Sequence, residues 1–302
     1  MPGVRRPRLR RGLLWLGVAF VLACAHSVAA ADDDQSPNAG QSGNPFYALD
    51  TKNLFGFLEG ADVGEAGDRS LEFETTGSFG KEQGLYRSLE QEFIFEPTLT
   101  DSLALEFGAH VLGQDIRRAP DLPDFTGVNF MGASVEFRYV VWHRTRDVPI
   151  QVTLTAESEY NSIADAGRRT VDFSTSFLAI ADAISTDRRL YGAVNLSYAP
   201  DGSRLPGRLW QDTNILSASA AVSYRLTPPL MFGAEADYDR AYGGVVPRGF
   251  EGQAVYLGPT FHYQINKKID LSGAVLVQAP AGRLDFDAFP RQLAKLRLEV
   301  EF

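Results

Sequence analysis

The chain has 302 residues, of which 44% are hydrophobic, and a formal net charge of −9 at pH 7. That acidic balance excludes functions that need a basic face, such as nucleic-acid binding. The sequence holds one cysteine, Cys24, so an intrachain disulfide is excluded, and packing and backbone pairing must supply the stability.

Residues 1–31 are typical of an export signal. Five arginines precede an apolar run over residues 12–23, and small residues then predict cleavage after Ala30 or Ala31. The run is too short to anchor the chain in a membrane. Removal of the signal would take away the five arginines and Cys24, so the formal charge would fall from −9 to −14.

The stretch from residue 32 to residue 70 predicts a periplasmic linker with a possible plug segment. Residues 32–44 are acidic, contain Gly, Ser and Pro and lack aromatic residues, which is typical of a disordered linker. Residues 45–69 carry aromatic and aliphatic side chains that need a surface to pack on, so we expect them to cover or enter the periplasmic mouth of the domain that follows. The segment Asn53-Leu-Phe-Gly-Phe-Leu-Glu-Gly-Ala-Asp-Val-Gly-Glu-Ala-Gly67 resembles part of an uncharacterised proteobacterial outer-membrane β-barrel family of the porin-like kind. That resemblance implies a fold but no activity.

Alternation of apolar and polar residues predicts an all-β domain over residues 71–302. In one such strand, Ile150, Val152 and Leu154 share a face and polar residues separate them. Short connections alternate with mostly longer ones, which is typical of a transmembrane antiparallel up-and-down β-barrel with both termini in the periplasm. About twelve strands are predicted, and ten or fourteen stay open. Their expected ranges are 71–79, 85–96, 102–114, 129–143, 149–160, 171–184, 190–199, 215–226, 230–238, 253–265, 269–279 and 291–302.

The last predicted strand ends the chain on an aromatic residue. Leu296, Leu298, Val300 and Phe302 share one face, and the residues between them are charged. This ending resembles the C-terminal insertion signal of bacterial outer-membrane barrels, although a soluble β-sandwich could also end on such a strand. The resemblance implies that these four residues form an assembly signal for the barrel assembly machinery.

Three places fit the predicted register poorly. Gln91 would face lipid in the middle of a strand. Pro259 would interrupt the hydrogen bonding of a barrel that has no free edge, so we expect a β-bulge there. Leu178 and Ile180 would face the lumen in the sixth strand.

The same register lines the lumen with acidic residues, fifteen of them against four basic residues. The wall is either a hydrated surface whose ion pairs hold the shape of the barrel or the lining of a pore that prefers cations. The residues alone favour neither interpretation. Twelve of these nineteen residues are singled out as lumen-lining: Glu90, Glu92, Glu106, Glu136, Arg138, Glu157, Glu159, Arg225, Glu235, Asp237, Arg297 and Glu299. The other seven are Glu72, Glu74, Asp172, Asp182, Asp270, Glu301 and Lys295.

No catalytic, cofactor or metal site is predicted. A barrel lipid hydrolase needs a Ser/His pair that faces lipid at the outer leaflet. His110 and His262 would face the lumen, His143 would lie at a periplasmic turn, and no serine has a credible base beside it.

The leading hypothesis is therefore an outer-membrane, porin-like channel for small solutes or cations. The alternative is a closed structural or interaction barrel whose outer loops, with Trp210 and Arg204/Arg208, bind surface partners or lipopolysaccharide, and a lipid hydrolase ranks third. The expected partners are outer-membrane lipid, lipopolysaccharide and the assembly machinery, and the protein is expected to be a monomer.

Overall fold

The computed structural model describes residues 49–81, 83–145, 147–279 and 289–302. The predicted export signal and the predicted disordered linker, residues 32–44, lie outside the described residues. Apart from one 3-10 turn at Asp165–Gly167, the regular structure within these ranges consists of β-strands. No helix in the described part of the chain is long and apolar enough to cross a membrane.

Twelve antiparallel strands close into one barrel. Each strand pairs with its neighbours in the sequence, and the last strand pairs with the first, with Ser70 opposite Glu301 and Phe79 opposite Gln292. The predicted all-β, up-and-down barrel and its number of strands are confirmed. The strands are β1 (Arg69–Phe79), β2 (Leu85–Thr100), β3 (Leu103–Arg117), β4 (Phe125–Trp142), β5 (Ile150–Ala164), β6 (Arg168–Ile184), β7 (Leu190–Arg204), β8 (Gln211–Thr227), β9 (Leu230–Gly243), β10 (Phe250–Asn266), β11 (Ile269–Gln278) and β12 (Gln292–Glu301).

The two ends of the barrel differ in their connections. The end at which β1 starts and β12 finishes has connections of two to seven residues, three of which are the two-residue turns 101–102, 228–229 and 267–268. We call it the turn end. The opposite end, which we call the loop end, carries connections such as 118–124 and 205–210.

Several strands extend further toward the loop end than the alternation predicts. Strand β7 is predicted over residues 190–199 but continues to Arg204, and β8 begins earlier than predicted, at Gln211. Backbone pairing continues in this extension, where Pro200 lies opposite Asn214. The residues there are mostly polar on both faces, so the ladder continues where the alternating pattern has ended.

The outward-facing side chains form an apolar surface. Phe107, Leu154, Leu196 and Leu257 lie on four different strands and are all exposed, whereas Thr153, one residue from Leu154, is fully buried. A closed barrel leaves no unpaired backbone edge, and this one has an apolar exterior and a polar interior. Those are the properties that a β-sheet needs in order to span a membrane.

A β-bulge in β4 changes which residues face outward. The alternation predicts that Met131 continues the outward face, but the pairing with β3 shows otherwise. His110 pairs with Gly132, and the next residue, Val111, pairs with Phe130. Met131 is therefore an extra residue in the ladder, and Phe130 is on the exposed face instead.

The prediction of a β-bulge at Pro259 is wrong. Pro259 lies opposite Ala234 of β9 in an unbroken register. On the β11 side, pairing is interrupted between Leu257 and Thr260, but the register is the same on either side of the gap. Proline has no amide hydrogen to donate, and the barrel accommodates it by a gap in one ladder rather than by an extra residue.

Gln91 faces outward in mid-strand, and its polar atoms are paired. The hydroxyl of Thr75, on the adjacent strand, donates to Oε1 of Gln91 at 2.6 Å. The amide nitrogen of Gln91 donates to the carbonyl oxygens of Glu74 and Glu92 at 2.7 and 3.1 Å. A hydrogen-bonded amide costs far less in an apolar environment than an unpaired one.

Candidate functional site in the barrel lumen

Residues 49–63, which we call the inner segment, lie inside the turn-end half of the barrel. They fold back on themselves, since the amide of Gly60 donates to the carbonyl of Lys52 at 3.0 Å. Their apolar side chains pack on an apolar part of the wall, and Ile180, which faces the lumen from β6, is also fully buried. The cluster between segment and wall comprises Leu54, Phe55, Leu58, Tyr191, Ala193, Ala221 and Met231.

Lys52 anchors the inner segment by charge. Its ammonium group lies 2.6 Å from Glu72 of β1 and 2.9 Å from Glu106 of β3, and it also contacts Glu96 of β2. Burial by itself would lower the pKa of Lys52, but the three carboxylates raise that pKa well above its ordinary value. Lys52 is therefore charged, and one ammonium group connects the segment to three strands.

Two arginines of the wall bind the same segment. Arg138 of β4 is fully buried and forms an ion pair with Glu59. Burial opposes ionisation of Glu59, yet the adjacent Arg138 lowers the pKa of that carboxyl below its ordinary value. Arg297 of β12 donates to the side-chain oxygen of Asn53 at 2.7 Å and to Glu74 at 2.9 and 2.7 Å.

A wall carboxylate also binds the backbone of the segment. Glu235 of β9 accepts hydrogen bonds from three successive amides, those of Gly56, Phe57 at 2.9 Å and Leu58 at 3.4 Å. Only glycine fits at position 56, because a Cβ there would lie 2.2 Å from the Cβ of Ala274 on β11. The segment therefore approaches the wall closely at this point.

The last part of the segment is held by β5, β6 and the turn between β4 and β5. Asp182 of β6 accepts from the amide of Ala61 at 2.9 Å and pairs with Arg144, which also lies 3.2 Å from Asp62. Burial opposes the charge on Arg144, but the two aspartates raise its pKa. Thr153 of β5 donates to the carbonyl of Ala61 at 2.5 Å. With these contacts the segment is bound on all sides and occupies the lumen across its width.

An acidic cavity of about 210 Å³ lies in the lumen on the loop-end side of the inner segment. His110 lies between two of its acids, with Nδ1 3.0 Å from Glu90 and Nε2 3.5 Å from Glu92. On β5, Glu159 accepts from Asn161 at 2.7 Å, and no basic side chain of the described residues lies within ion-pair distance of Glu157 or Glu159. The lining residues are Glu74, Thr76, Glu90, Glu92, His110, Glu157 and Glu159.

The structure divides the predicted lumen-lining residues into two main groups. Four of them, Glu90, Glu92, Glu157 and Glu159, line the acidic cavity. Two others stand apart: Arg225 donates to the hydroxyl of Tyr191 at 2.7 Å, and Asp237 lies opposite Ser219 of β8. The group that contacts the inner segment, directly or through Arg138, comprises Glu106, Glu136, Arg138, Glu235, Arg297 and Glu299.

Five charged residues of the site were not predicted. They are Lys52, Glu59, Asp62, Glu96 and Arg144. One signal could have identified the first of them, since Lys52 is the only lysine or arginine between residues 32 and 68. A single base in a segment predicted to enter an acidic lumen would be expected to pair with the wall.

The four residues of the predicted assembly signal lie on β12 and at its end. Leu296 and Phe302 are exposed on the outer face, whereas Leu298 is buried between its neighbours Phe73 and Leu271 in the register. Their role in insertion stays a prediction.

One serine lies beside a histidine, at the turn end and not at the end where a lipid hydrolase was considered. Nε2 of His143 lies 2.7 Å from the hydroxyl of Ser102, and both are exposed at the turn end. No carboxylate of the described residues lies within ion-pair distance of His143, whereas His262 in the lumen lies 3.6 Å from Asp270. Within the described ranges, no three His, Cys, Asp or Glu residues are arranged to hold a metal ion.

A comparison with protein families matches residues 47–299 to a family of unknown function, DUF6662. The chain belongs to this family. The matched range covers both the inner segment and the barrel, so the DUF6662 unit includes the segment as well as the strands. A search of curated proteins found no match.

Solved structures similar to this DUF6662 chain include outer-membrane barrels. An outer-membrane channel from Pseudomonas putida F1 has a TM-score of 0.52 at 13% identity, with 80% of this chain and 98% of the channel covered. The NanC porin has a TM-score of 0.48 at 10% identity, with 77% and 98% covered. At such low identity the first similarity shows the fold alone.

Proposed function

We propose that this protein is an outer-membrane, porin-like channel for small cationic solutes, which the inner segment closes at the periplasmic side. The observation that carries the proposal is the acidic cavity, which lies in the lumen on the loop-end side of the ion-paired segment. The turn end corresponds to the periplasmic side, because short turns lie there and long loops lie outside in such barrels.

The charge of the cavity supports a preference for cations. Glu74 is neutralised by Lys295 at 2.6 Å and His110 lies among the acids of β2, but Glu157 and Glu159 have only neutral hydrogen-bond donors beside them. A narrow lumen with low-dielectric walls concentrates the field of such carboxylates and raises the local concentration of cations. The preference should weaken as salt screens the wall.

Displacement of the inner segment would uncover carboxylates of the wall. Glu72, Glu96 and Glu106 share Lys52 as a partner. Without Lys52, Glu72 would keep only Arg297 within ion-pair distance, Glu106 would keep only Arg138, and Glu96 would have no basic residue of the described part of the chain. The segment would take Asp50, Glu59 and Asp62 out of the lumen together with Lys52, so an open state would expose the carboxylates of β1 to β3 without making the lumen more negative overall.

A closed structural barrel is the second candidate. The contacts that favour it are the buried ion pairs of Lys52 and Arg138, because a segment fastened by several buried charges opposes displacement. The two functions differ in one respect that can be measured, which is whether the segment ever leaves the lumen.

Single-channel recording on refolded protein tests the proposal. We expect rare or small steps from the intact chain and larger, cation-selective steps from a variant that lacks residues 49–63, with Lys52→Met as a second variant if the deletion does not fold. A reversal potential across a salt gradient gives the sign of selectivity. Replacement of Glu157 and Glu159 by Gln should reduce cation preference, whereas Val152→Ala on the outer face should not. Silence from folded segment-free protein would support the structural barrel, and anion preference would contradict the proposal.

A further inference from the structure

A trough of about 330 Å³ indents the outer face of the barrel near the loop end of β1, β11 and β12. Its floor is at Ala294 of β12, which pairs with Gly77 of β1 on one side and with Val275 of β11 on the other. Most outward-facing neighbours on this wall are larger apolar residues. The trough is therefore a local gap in an otherwise full apolar surface.

Two aromatic rings border the trough because glycines leave room for them. The ring of Phe79 lies over Gly77, where a Cβ would be 2.6 Å from it, and the ring of Phe261 lies over Gly273, where a Cβ would be 3.0 Å from it. The polar side chains of the lining all have partners: Thr75 donates to Gln91 at 2.6 Å, Thr260 donates to the carbonyl of Gly273 at 3.1 Å, and Lys295 pairs with Glu74 at 2.6 Å. The interior of the trough thus suits a hydrocarbon chain.

Positive charge lies at the loop-end rim of the trough. Arg87 pairs with Phe79 in the β1–β2 register and is exposed. Arg291 is exposed too, and its amide donates to the carbonyls of Phe79 and Gly80 at 3.0 Å, which places its backbone at the same rim. The acid nearest in register, Asp115, is already paired with Arg117 at 3.0 Å. Within the described residues the rim is therefore positively charged.

We propose that this trough binds one acyl chain of a phosphorylated glycolipid of the outer leaflet, of the lipopolysaccharide type, and that Arg87 and Arg291 bind its phosphate. Arginine pairs with phosphate through several parallel hydrogen bonds, and the rim places two such groups above an apolar gap. A second copy of the chain fits less well, because a two-fold interface must be self-complementary and a concave trough cannot fill itself. Binding requires insertion in the outer membrane but is independent of conduction.

Quantification of lipopolysaccharide bound to refolded, purified protein in detergent tests this assignment. Ala294→Leu fills the trough and Arg87→Gln removes a rim charge. Each should weaken binding about tenfold or more, which corresponds to about 1.4 kcal/mol. The matched controls are Ala220→Leu, on the exposed face of β8, and Arg248→Gln, in the connection between β9 and β10, and both should bind within about twofold of the parent chain.

Three outcomes would overturn the proposal. Equal binding by all four folded variants would mean that the trough is not the site. A loss with Ala294→Leu but not with Arg87→Gln would mean that an acyl chain enters without recognition of its phosphate. A change in cross-linked dimer with Ala294→Leu would identify a second copy of the chain as the occupant.

Discussion

Replacement of Lys52 by Met should release the inner segment from the lumen. Methionine keeps much of the length of the side chain but removes the ammonium group that lies 2.6 Å from Glu72 and 2.9 Å from Glu106 and also contacts Glu96. Removing one partner of a buried ion pair costs about 3–5 kcal/mol, because the remaining charge stays buried without compensation. The strands are hydrogen-bonded around the whole barrel, so this cost affects docking of the segment rather than the barrel itself.

The expected effect is large enough for proteolysis to measure. At about 1.4 kcal/mol for each factor of ten, a loss of 3–5 kcal/mol raises the undocked population about a hundredfold to several thousandfold. Chymotrypsin can cut beside Phe55 and Phe57 only when the segment is undocked, because both belong to the lumen-filling part of the chain. Initial cleavage rates follow that population when undocking and docking are fast relative to cleavage.

Two further variants show whether charge is the cause. Lys267→Met removes an exposed lysine in the turn between β10 and β11 and should leave the cleavage rate unchanged. Adding Glu96→Gln and Glu106→Gln to Lys52→Met should restore much of the protection, because fewer carboxylates then remain uncompensated. A Lys52→Met protein cleaved at the parent rate would refute the account of Lys52 as the anchor.

Other contacts give smaller tests. The pKa of Glu59 is lowered in the folded protein, so its ion pair stabilises docking fully above the ordinary pKa of 4.5, and this stabilisation is lost as the pH falls through the lowered pKa. Acid should therefore speed cleavage of the segment, and Glu59→Gln should remove that part of the response. In Gly60→Ala the new Cβ would lie 2.0 Å from the carbonyl oxygen of Thr51, and overpacking of about 1–3 kcal/mol should raise the cleavage rate at neutral pH. Deletion of Phe302 should lower the yield of membrane-inserted barrel on heat-modifiability gels more than deletion of Gly244, and equal yields would contradict the assembly-signal prediction.

The barrel could be predicted because its two main determinants are local. Alternation assigns a face to each residue, and the rhythm of short and long connections gives the direction of each strand. Alternation does not predict where a single extra residue is inserted, and such a residue reverses the two faces for the rest of a strand. Met131 is such a residue, and nothing in the sequence around it marks the point at which Phe130 replaces it on the outer face.

The partners of the lumen charges could not be predicted in the same way. The register indicates that Glu72 and Glu106 face inward, but it does not indicate what they meet there. Their shared partner, Lys52, lies outside every strand and is placed by the fold of the inner segment. Glu59 and Arg138 are likewise 79 residues apart in the sequence. Such pairs depend on tertiary packing, which alternation does not record.

The charge that a channel shows to solutes therefore depends on pairing rather than on the number of acids. Fifteen inward acids against four bases suggest one uniformly negative lumen, but the inner segment divides it. The carboxylates of β1 to β3 near the turn end neutralise Lys52 and Arg297 in the closed state, while Glu157 and Glu159 remain available in the cavity. Ion preference in the closed state should thus depend on β5. It should extend to the acids of β1 to β3 only when the segment leaves, so different carboxylates would determine the selectivity of the two states.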